Sequence, residues 1–328
     1  MKVPVKNTDW SSVAAALKSA AGIVIITHKN PDSDGIGSQI ALFHALNTAG
    51  KRVWMHNLDP VPRICQYLDG SNRATSGSEF EHLHEVDTII SVDCGAISRL
   101  GMPDSFFAEK AVINIDHHAS NKNFGQVNVV DAGYCATGAM IFDLLSFLDI
   151  DLTPAIAAPL YVALMTDTSS FRLATVDADV FHLAAELVRA GADPATASNA
   201  VYGSNSVARL ELLKLSLDTL ELHDKQRSAW LHVTNGMYQQ TDANVEDTEG
   251  FIDYGRSISG VGVAVFIRPG SEGLWKLSFR GADGLDVGSL ASELGGGGHR
   301  YAAGCDLHGS LDEVKERVHP LVTRLLSS

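Results

Sequence analysis

The chain has 328 residues, room for about two ordinary domains, because single cores rarely grow far past roughly 250 residues. Hydrophobic residues make up 45% and charged residues 20%, which excludes a disordered chain. The formal net charge of −14 excludes a broad basic surface for long duplex nucleic acid, although metals or helix N-termini can still concentrate positive charge for a small anion.

Gly22 to Thr27 reads as a short buried strand. Asp34 to Ala49 places Ile36, Ile40, Phe43 and Leu46 at helical spacing, and Gly50 supplies a stop. Arg52 to His56, Asp87 to Val92, Ala111 to Ile115 and Val127 to Val130 read as further strands. Thr153 as N-cap and Pro154 at the first helical position open a helix towards Thr166. Asp177 to Ala190 is another helix, stopped by Gly191. The alternation predicts an α/β domain over residues 1–190, a mostly parallel sheet with helices on both faces. Gly191 to Pro194 is a break, and Asn205 to Leu222 reads as one connector helix, so 191–226 is expected to be a linker. Strands near Ala229 to Thr234, Gly262 to Ile267 and Leu274 to Arg280, then helices near Asp286 to Leu294 and Leu311 to Leu326, predict a smaller α+β domain over 227–328.

The first ten residues show no apolar leader, and stretches such as Ile23 to Ile26 are far short of a membrane span. A cytoplasmic protein without a membrane partner is expected. Cys65, Cys94, Cys135 and Cys305 form no CxxC pair and read as reduced buried thiols.

Four acidic or histidine clusters each follow a strand or end a helix, and ligands of open parallel sheets bind outside the carboxyl ends of the strands. His28, Asp32 and Asp34 follow the first strand, where Pro31 stiffens the loop and Gly35 and Gly37 permit close approach. Asp93 closes the third strand. Asp116, His117 and His118 follow the fourth, where three ionisable groups are costly unless paired or bound to something. Asp167 ends an apolar helix, where the dipole disfavours a carboxylate and a cation would offset the cost. For any one Asp, capping or turn formation is the ordinary explanation. Together, carboxylates and imidazoles suit Mn²⁺, Mg²⁺, Fe²⁺ or Zn²⁺. Six candidate ligands exceed what one four-coordinate ion needs. Two ions sharing a carboxylate would use them all, in the arrangement that stabilises both ends of an in-line phosphoryl displacement. In the second domain, Gly295 to Gly298 are read as a backbone nest for an anion beside His299, and Arg280 as a phosphate clamp.

Asp116-His117-His118 resembles the signature of the DHH phosphoesterases. Thr27 to Asp34, Val92 to Gly95 and Met165 to Phe171 resemble that family's other motifs. Lys276 to Arg280 with Leu294 to Gly304 resembles its associated C-terminal domain. The resemblance runs in the family's order over almost the whole chain, with Ser169 where Gly is expected and Gly281 where Ser is usual. It implies a binuclear centre between two lobes, usually holding Mn²⁺, with Mg²⁺ or Fe²⁺ as alternatives. His28, Asp32 and Asp93 would hold one ion. Asp34, Asp93, His117 and Asp167 would hold the other. His118 would face the scissile phosphate, Asp116 would orient a ligand, and Arg280, Gly296, Gly297, Gly298 and His299 would bind substrate. The form is closest to the bifunctional oligoribonuclease and pAp-phosphatase group, which implies short single-stranded RNA or a small nucleotide as substrate. The alternatives are a cyclic di-AMP or pApA phosphodiesterase and, in another class, a nucleotide-sensing protein. A homodimer is left open.

Overall fold

The computed structural model describes residues 6, 8–270, 273–282, 284–298 and 300–327. The chain divides into two compact units, Met1–Ser204 and Asn205–Ser328. The first unit runs α1 (Ser11–Ser19), β1 (Ile23–Ile26), α2 (Ser33–Thr48), β2 (Val53–Asn57), β3 (Ala74–Ser76), β4 (Thr88–Val92), α3 (Asp104–Phe107), β5 (Ala111–Asp116), β6 (Val127–Val130), α4 (Thr137–Phe147), α5 (Pro154–Asp167), α6 (Ala178–Arg189) and α7 (Pro194–Ser198).

Its six strands lie in the order β3-β2-β1-β4-β5-β6, and every described pairing is parallel. Period-2 alternation sorts the strand residues between two faces. Ile23, Ile25, Ile90, Val92, Ile113 and Ile115 pack with residues of α2, α4 and α5. Val24, Ile26, Ile89 and Val112 pack on the other face with Phe80, Leu100 and Phe106. Each fully buried Ile contributes about 1.5–3 kcal/mol of transfer free energy. Winding reverses between β1 and β4, so a crevice opens at their carboxyl ends. Gly35 and Gly37 allow α2 to lie close there: an added Cβ would meet Thr27 Oγ1 at 2.3 Å and the Pro159 carbonyl oxygen at 2.4 Å respectively.

The second unit comprises α8 (Val207–Leu217), β7 (Glu221–His223), β8 (Ser228–His232), α9 (Asn235–Thr241), α10 (Phe251–Arg256), β9 (Val263–Pro269), β10 (Leu274–Gly281), α11 (Val287–Glu293), β11 (Gly297–Gly298), β12 (Ala302–His308) and α12 (Leu311–Ser327). Its mixed sheet has the order β11-β12-β10-β9-β8-β7. Trp230, Val265 and Phe279 face α11 and α12, while Leu231, Ala264 and Phe266 face the other way towards Leu212 of α8 and Phe251 of α10.

One expected helix is shorter than its leucine periodicity suggests. Asn205 to Leu222 is not one helix: α8 ends at Leu217, and β7 follows as a strand paired with β8. Thr219 makes the break, because its hydroxyl donates to the Ser216 carbonyl at 2.7 Å and accepts the His232 amide at 2.9 Å. Among the described residues, no helix is long and apolar enough to cross a membrane.

Candidate metal centre

The loop after β1 aims His28 and Asp32 into the crevice. His28 Nδ1 lies 2.9 Å from the Lys29 carbonyl oxygen, which makes that nitrogen the donor and turns Nε2 towards Asp32 and Asp93, each 3.6 Å away. Asp32 is the N-cap of α2. Its Oδ1 accepts the amides of Asp34 and Gly35 at 3.1 and 3.0 Å, while Oδ2 faces His28. Capping and ligation therefore use different oxygens of one carboxylate.

Asp93 follows β4 with φ +56°, the left-handed region that Asp tolerates better than most residues, and is only 2% exposed. Its Oδ2 faces His28, and its Oδ1 lies 3.7 Å from both His117 Nε2 and His118 Nδ1. His117 Nδ1 lies 3.2 Å from the Tyr134 carbonyl oxygen. His117 Nε2 lies 3.6 Å from Asp34 Oδ2 and 3.4 Å from Asp167 Oδ2. Three overlapping donor groups result, His28/Asp32/Asp93, Asp34/His117/Asp167 and Asp93/His117/His118, and Asp93 turns Oδ2 towards the first and Oδ1 towards His117 of the second.

These residues fit a pair of divalent cations. The separations of 3.4–3.7 Å are long for hydrogen bonds. They suit ligands about 2.0–2.2 Å from a shared ion, which lie roughly 3–4 Å apart. Among the described residues, the ion pairs of Asp32, Asp34, Asp93 and Asp167 are all with histidines. Burial and the neighbouring carboxylates of Asp93 and Asp167 push the Asp34 carboxyl well above its usual range. Burial raises Asp167 to about 6. Burial opposes charge on Asp93 too, but His28, His118 and His117 hold it well below the usual carboxylate range. The histidines respond in turn. Burial disfavours their charge, yet the facing carboxylates raise His28 to about 10 and His118 to about 9. Four carboxylates crowded together, with Asp34 and Asp167 pushed towards their protonated forms, are a site short of positive charge.

Asp116 is fully buried and set against His118: His118 Nδ1 and Asp116 Oδ1 are 2.7 Å apart. Asn121 Nδ2 donates to the other Asp116 oxygen at 2.5 Å. Sequence reasoning missed Asn121, and it missed α4. The amides of Thr137 and Gly138, in the first turn of α4, donate to Asp34 at 2.7 and 2.8 Å, and the Thr137 hydroxyl donates to Asp93 Oδ1 at 2.9 Å. A Thr-Gly pair before the apolar run from Ala139 to Phe142 marks a helix start, but nothing local says which carboxylate its amides will meet.

In the second unit, Arg280 is the penultimate residue of β10 and half-buried, with Nη1 donating to the Phe279 carbonyl at 3.2 Å. The glycine run differs from an open nest. The Gly295 and Gly296 amides donate to the Ser292 and Ala291 carbonyls, closing α11, and Gly297–Gly298 pair with β12. The reason is steric: a Cβ at Gly296 would lie 2.1 Å from the Gly304 carbonyl oxygen. His299 lies outside the described residues. The two departures from the expected motifs also have local settings. Ser169 sits at φ +50°, where glycine would be relaxed, and Gly281 sits where a Cβ would approach the Leu285 carbonyl oxygen to 2.8 Å.

Comparison with known proteins matches residues 22–164 to the DHH family, N-terminal domain, and residues 233–324 to the DHHA1 domain. The chain is 36% identical over 310 residues to the bifunctional oligoribonuclease and PAP phosphatase NrnA of Thermus thermophilus, covering 93% of this chain and 91% of that protein. It is similar to the crystal structure of an exopolyphosphatase-related protein from Bacteroides fragilis, with a TM-score of 0.87, 27% identity and 97% of both chains covered. The fold is shared, at a TM-score of 0.59 and 14% identity, with RecJ in complex with Mn²⁺ from Thermus thermophilus, covering 98% of this chain and 55% of that one.

Proposed function

The chain belongs to the DHH family of divalent-metal-dependent phosphoester hydrolases, and from that premise we propose that it degrades short oligoribonucleotides to mononucleotides and dephosphorylates 3′-phosphoadenosine 5′-phosphate with a pair of cations, Mn²⁺ first among them. The observation that carries the reading is the buried Asp93 carboxylate, set beside the switch point with one oxygen towards each of two donor groups. When bound, the two ions supply an activated water and neutralise charge that develops on the phosphoryl oxygens.

The protein's own groups do the rest. His28, Asp32 and Asp93 would hold one ion, and Asp34, Asp93, His117 and Asp167 would hold the other. In the metal-free site, the hydrogen bond to Asp116 and the nearby Asp93 carboxylate favour the charged form of His118. With Nδ1 committed to Asp116, His118 offers Nε2 to the substrate and can hydrogen-bond or protonate the departing oxygen. Arg280 supplies a planar cation for the substrate's phosphate, and Gly297 and Gly298 on the edge strand, with His299 beyond the described residues, extend the same role, whereas the Gly296 amide is already bonded to the Ala291 carbonyl. The acidic chain, −14 overall, favours short substrates over long strands, which need an extended basic track. A cytoplasmic setting belongs to the same proposal; the four cysteines are free and buried.

The test incubates the purified protein with Mn²⁺ and, in parallel, pAp, a labelled RNA series from dimer to pentamer, a long single strand, and cyclic di-AMP. Mononucleotide and phosphate release from the first two, falling with RNA length, is the expected result. Preference for cyclic di-AMP, or equal turnover of a dimer and a long strand, would overturn the substrate assignment. Inertness towards every substrate would overturn the phosphoesterase reading of this site.

A further inference from the structure

The segment from Tyr134 to Gly138, which joins β6 to α4, reaches three of the six candidate ligands. The Tyr134 carbonyl faces His117 Nδ1 at 3.2 Å, and the Thr137 and Gly138 amides hold Asp34. Those contacts use backbone, which almost any residue supplies. The third uses a side chain: the Thr137 hydroxyl donates to Asp93 Oδ1 at 2.9 Å. Thr137 is fully buried. The segment is itself anchored, since the Tyr134 ring is buried and its hydroxyl donates to Asp143 Oδ2 in α4 at 2.6 Å.

Asp93 needs such a partner more than Asp32 and Asp34 do. Its two oxygens face different donor groups, so rotation about its terminal torsion would take both out of place at once. That torsion is broad and roughly two-fold, so the side chain's own preference does not fix it. Asp32 and Asp34 are each pinned by two backbone amides. Around the Asp93 carboxylate, the imidazoles of His28, His117 and His118 stand back at 3.6–3.7 Å, and among the described residues only Thr137 approaches to 2.9 Å.

We propose that Thr137 is a positioning residue: its hydroxyl locks the Asp93 carboxylate in the one rotation that presents an oxygen to each of the two ions. The inference rests on the two-ion reading above. Groups that orient a ligand in this way are typically worth 10–100-fold in metal affinity.

Calorimetric titration of the metal-free protein with Mn²⁺ tests it, on the wild type, Thr137→Val and Thr137→Ser, with thermal melts in chelator beside them. The wild type should take up two ions. Thr137→Val, which keeps shape and removes the donor, should bind them about 10–100-fold more weakly with its chelated melt in place, and Thr137→Ser should return to within a few-fold of wild type. If Thr137→Val does not fold, Thr137→Ala makes the same comparison with a smaller side chain. Wild-type affinity in a folded variant lacking the hydroxyl overturns the role of Thr137 while leaving the two-ion centre standing. A wild type that binds fewer than two ions overturns that centre and this role with it.

Discussion

Replacing His118 by Gln should change how the metal-free protein responds to pH. Burial alone would lower the affinity of this imidazole for its proton. Asp116 at 2.7 Å, Asp93 at 3.7 Å and, more weakly, Asp167 outweigh burial and raise the group to about 9 from an ordinary 6.5. A histidine raised in the folded state contributes stability that is complete below 6.5 and is lost as pH climbs through about 9. At about 1.36 kcal/mol per tenfold change, that contribution is about 3 kcal/mol. The ring is 23% exposed, and solvent screening brings it nearer to about 2 kcal/mol. In a unit of this size, that is about 4–8 °C in Tm. The assay is thermal unfolding in chelator at pH 6.5 and pH 9 for wild type and His118→Gln. Because the imidazole is still half protonated at pH 9, the wild type should lose about 3–6 °C more than the variant between the two pH values. His28 acts in both proteins and cancels to first order. Parallel losses in the two proteins would refute the electrostatic account of the site. Added Mn²⁺ should stabilise the wild type more at pH 9 than at pH 6.5, because ligands bind metal deprotonated and release their protons on binding.

Three further expectations follow from the geometry. Asp93→Ala and His117→Ala should each lower turnover by more than about 100-fold, beyond the loss typical of a merely supporting group, and should lower the Mn²⁺ stoichiometry seen by calorimetry; full stoichiometry in Asp93→Ala would rule out a shared carboxylate. Gly296→Ala forces a Cβ to within 2.1 Å of the Gly304 carbonyl oxygen, so the second unit should lose about 1–3 kcal/mol and melt earlier, whereas an unchanged melt would mean that β11 does not lie so close to β12. Arg280→Ala should raise KM for pAp and short RNA more than it lowers kcat, with Arg280→Lys recovering part, because lysine keeps the charge and loses the planar fork; an unaltered KM would remove Arg280 from substrate binding.

Five of the six strands of the first unit, the helix opened by Thr153-Pro154 and the six residues that the structure brings together as donors were legible in the sequence, because each depends on local pattern: an apolar run, a cap, a carboxylate or imidazole just past a strand end; the three-residue β3, with no apolar run, was not. Local pattern could not end α8 at Leu217, since the leucines continue in helical register and it is Thr219, bonded to β8, that stops the helix. Nor could it decide the glycine run, where the approach of Gly304 and Ala303 draws Gly297–Gly298 into an edge strand. The double duty of Asp32 is likewise invisible in sequence, which offers capping and ligation as rivals although a carboxylate has an oxygen for each. Residue types and spacing determined what chemistry the first unit can host. Only the tertiary structure decided that Asp116 meets His118, that α4 caps Asp34 from a hundred residues away, and that Thr137 meets Asp93. The physical reason is range: the first set of facts depends on a residue and its neighbours along the chain, and the second on backbone groups brought together by a sheet whose order the winding reverses at β1 and β4.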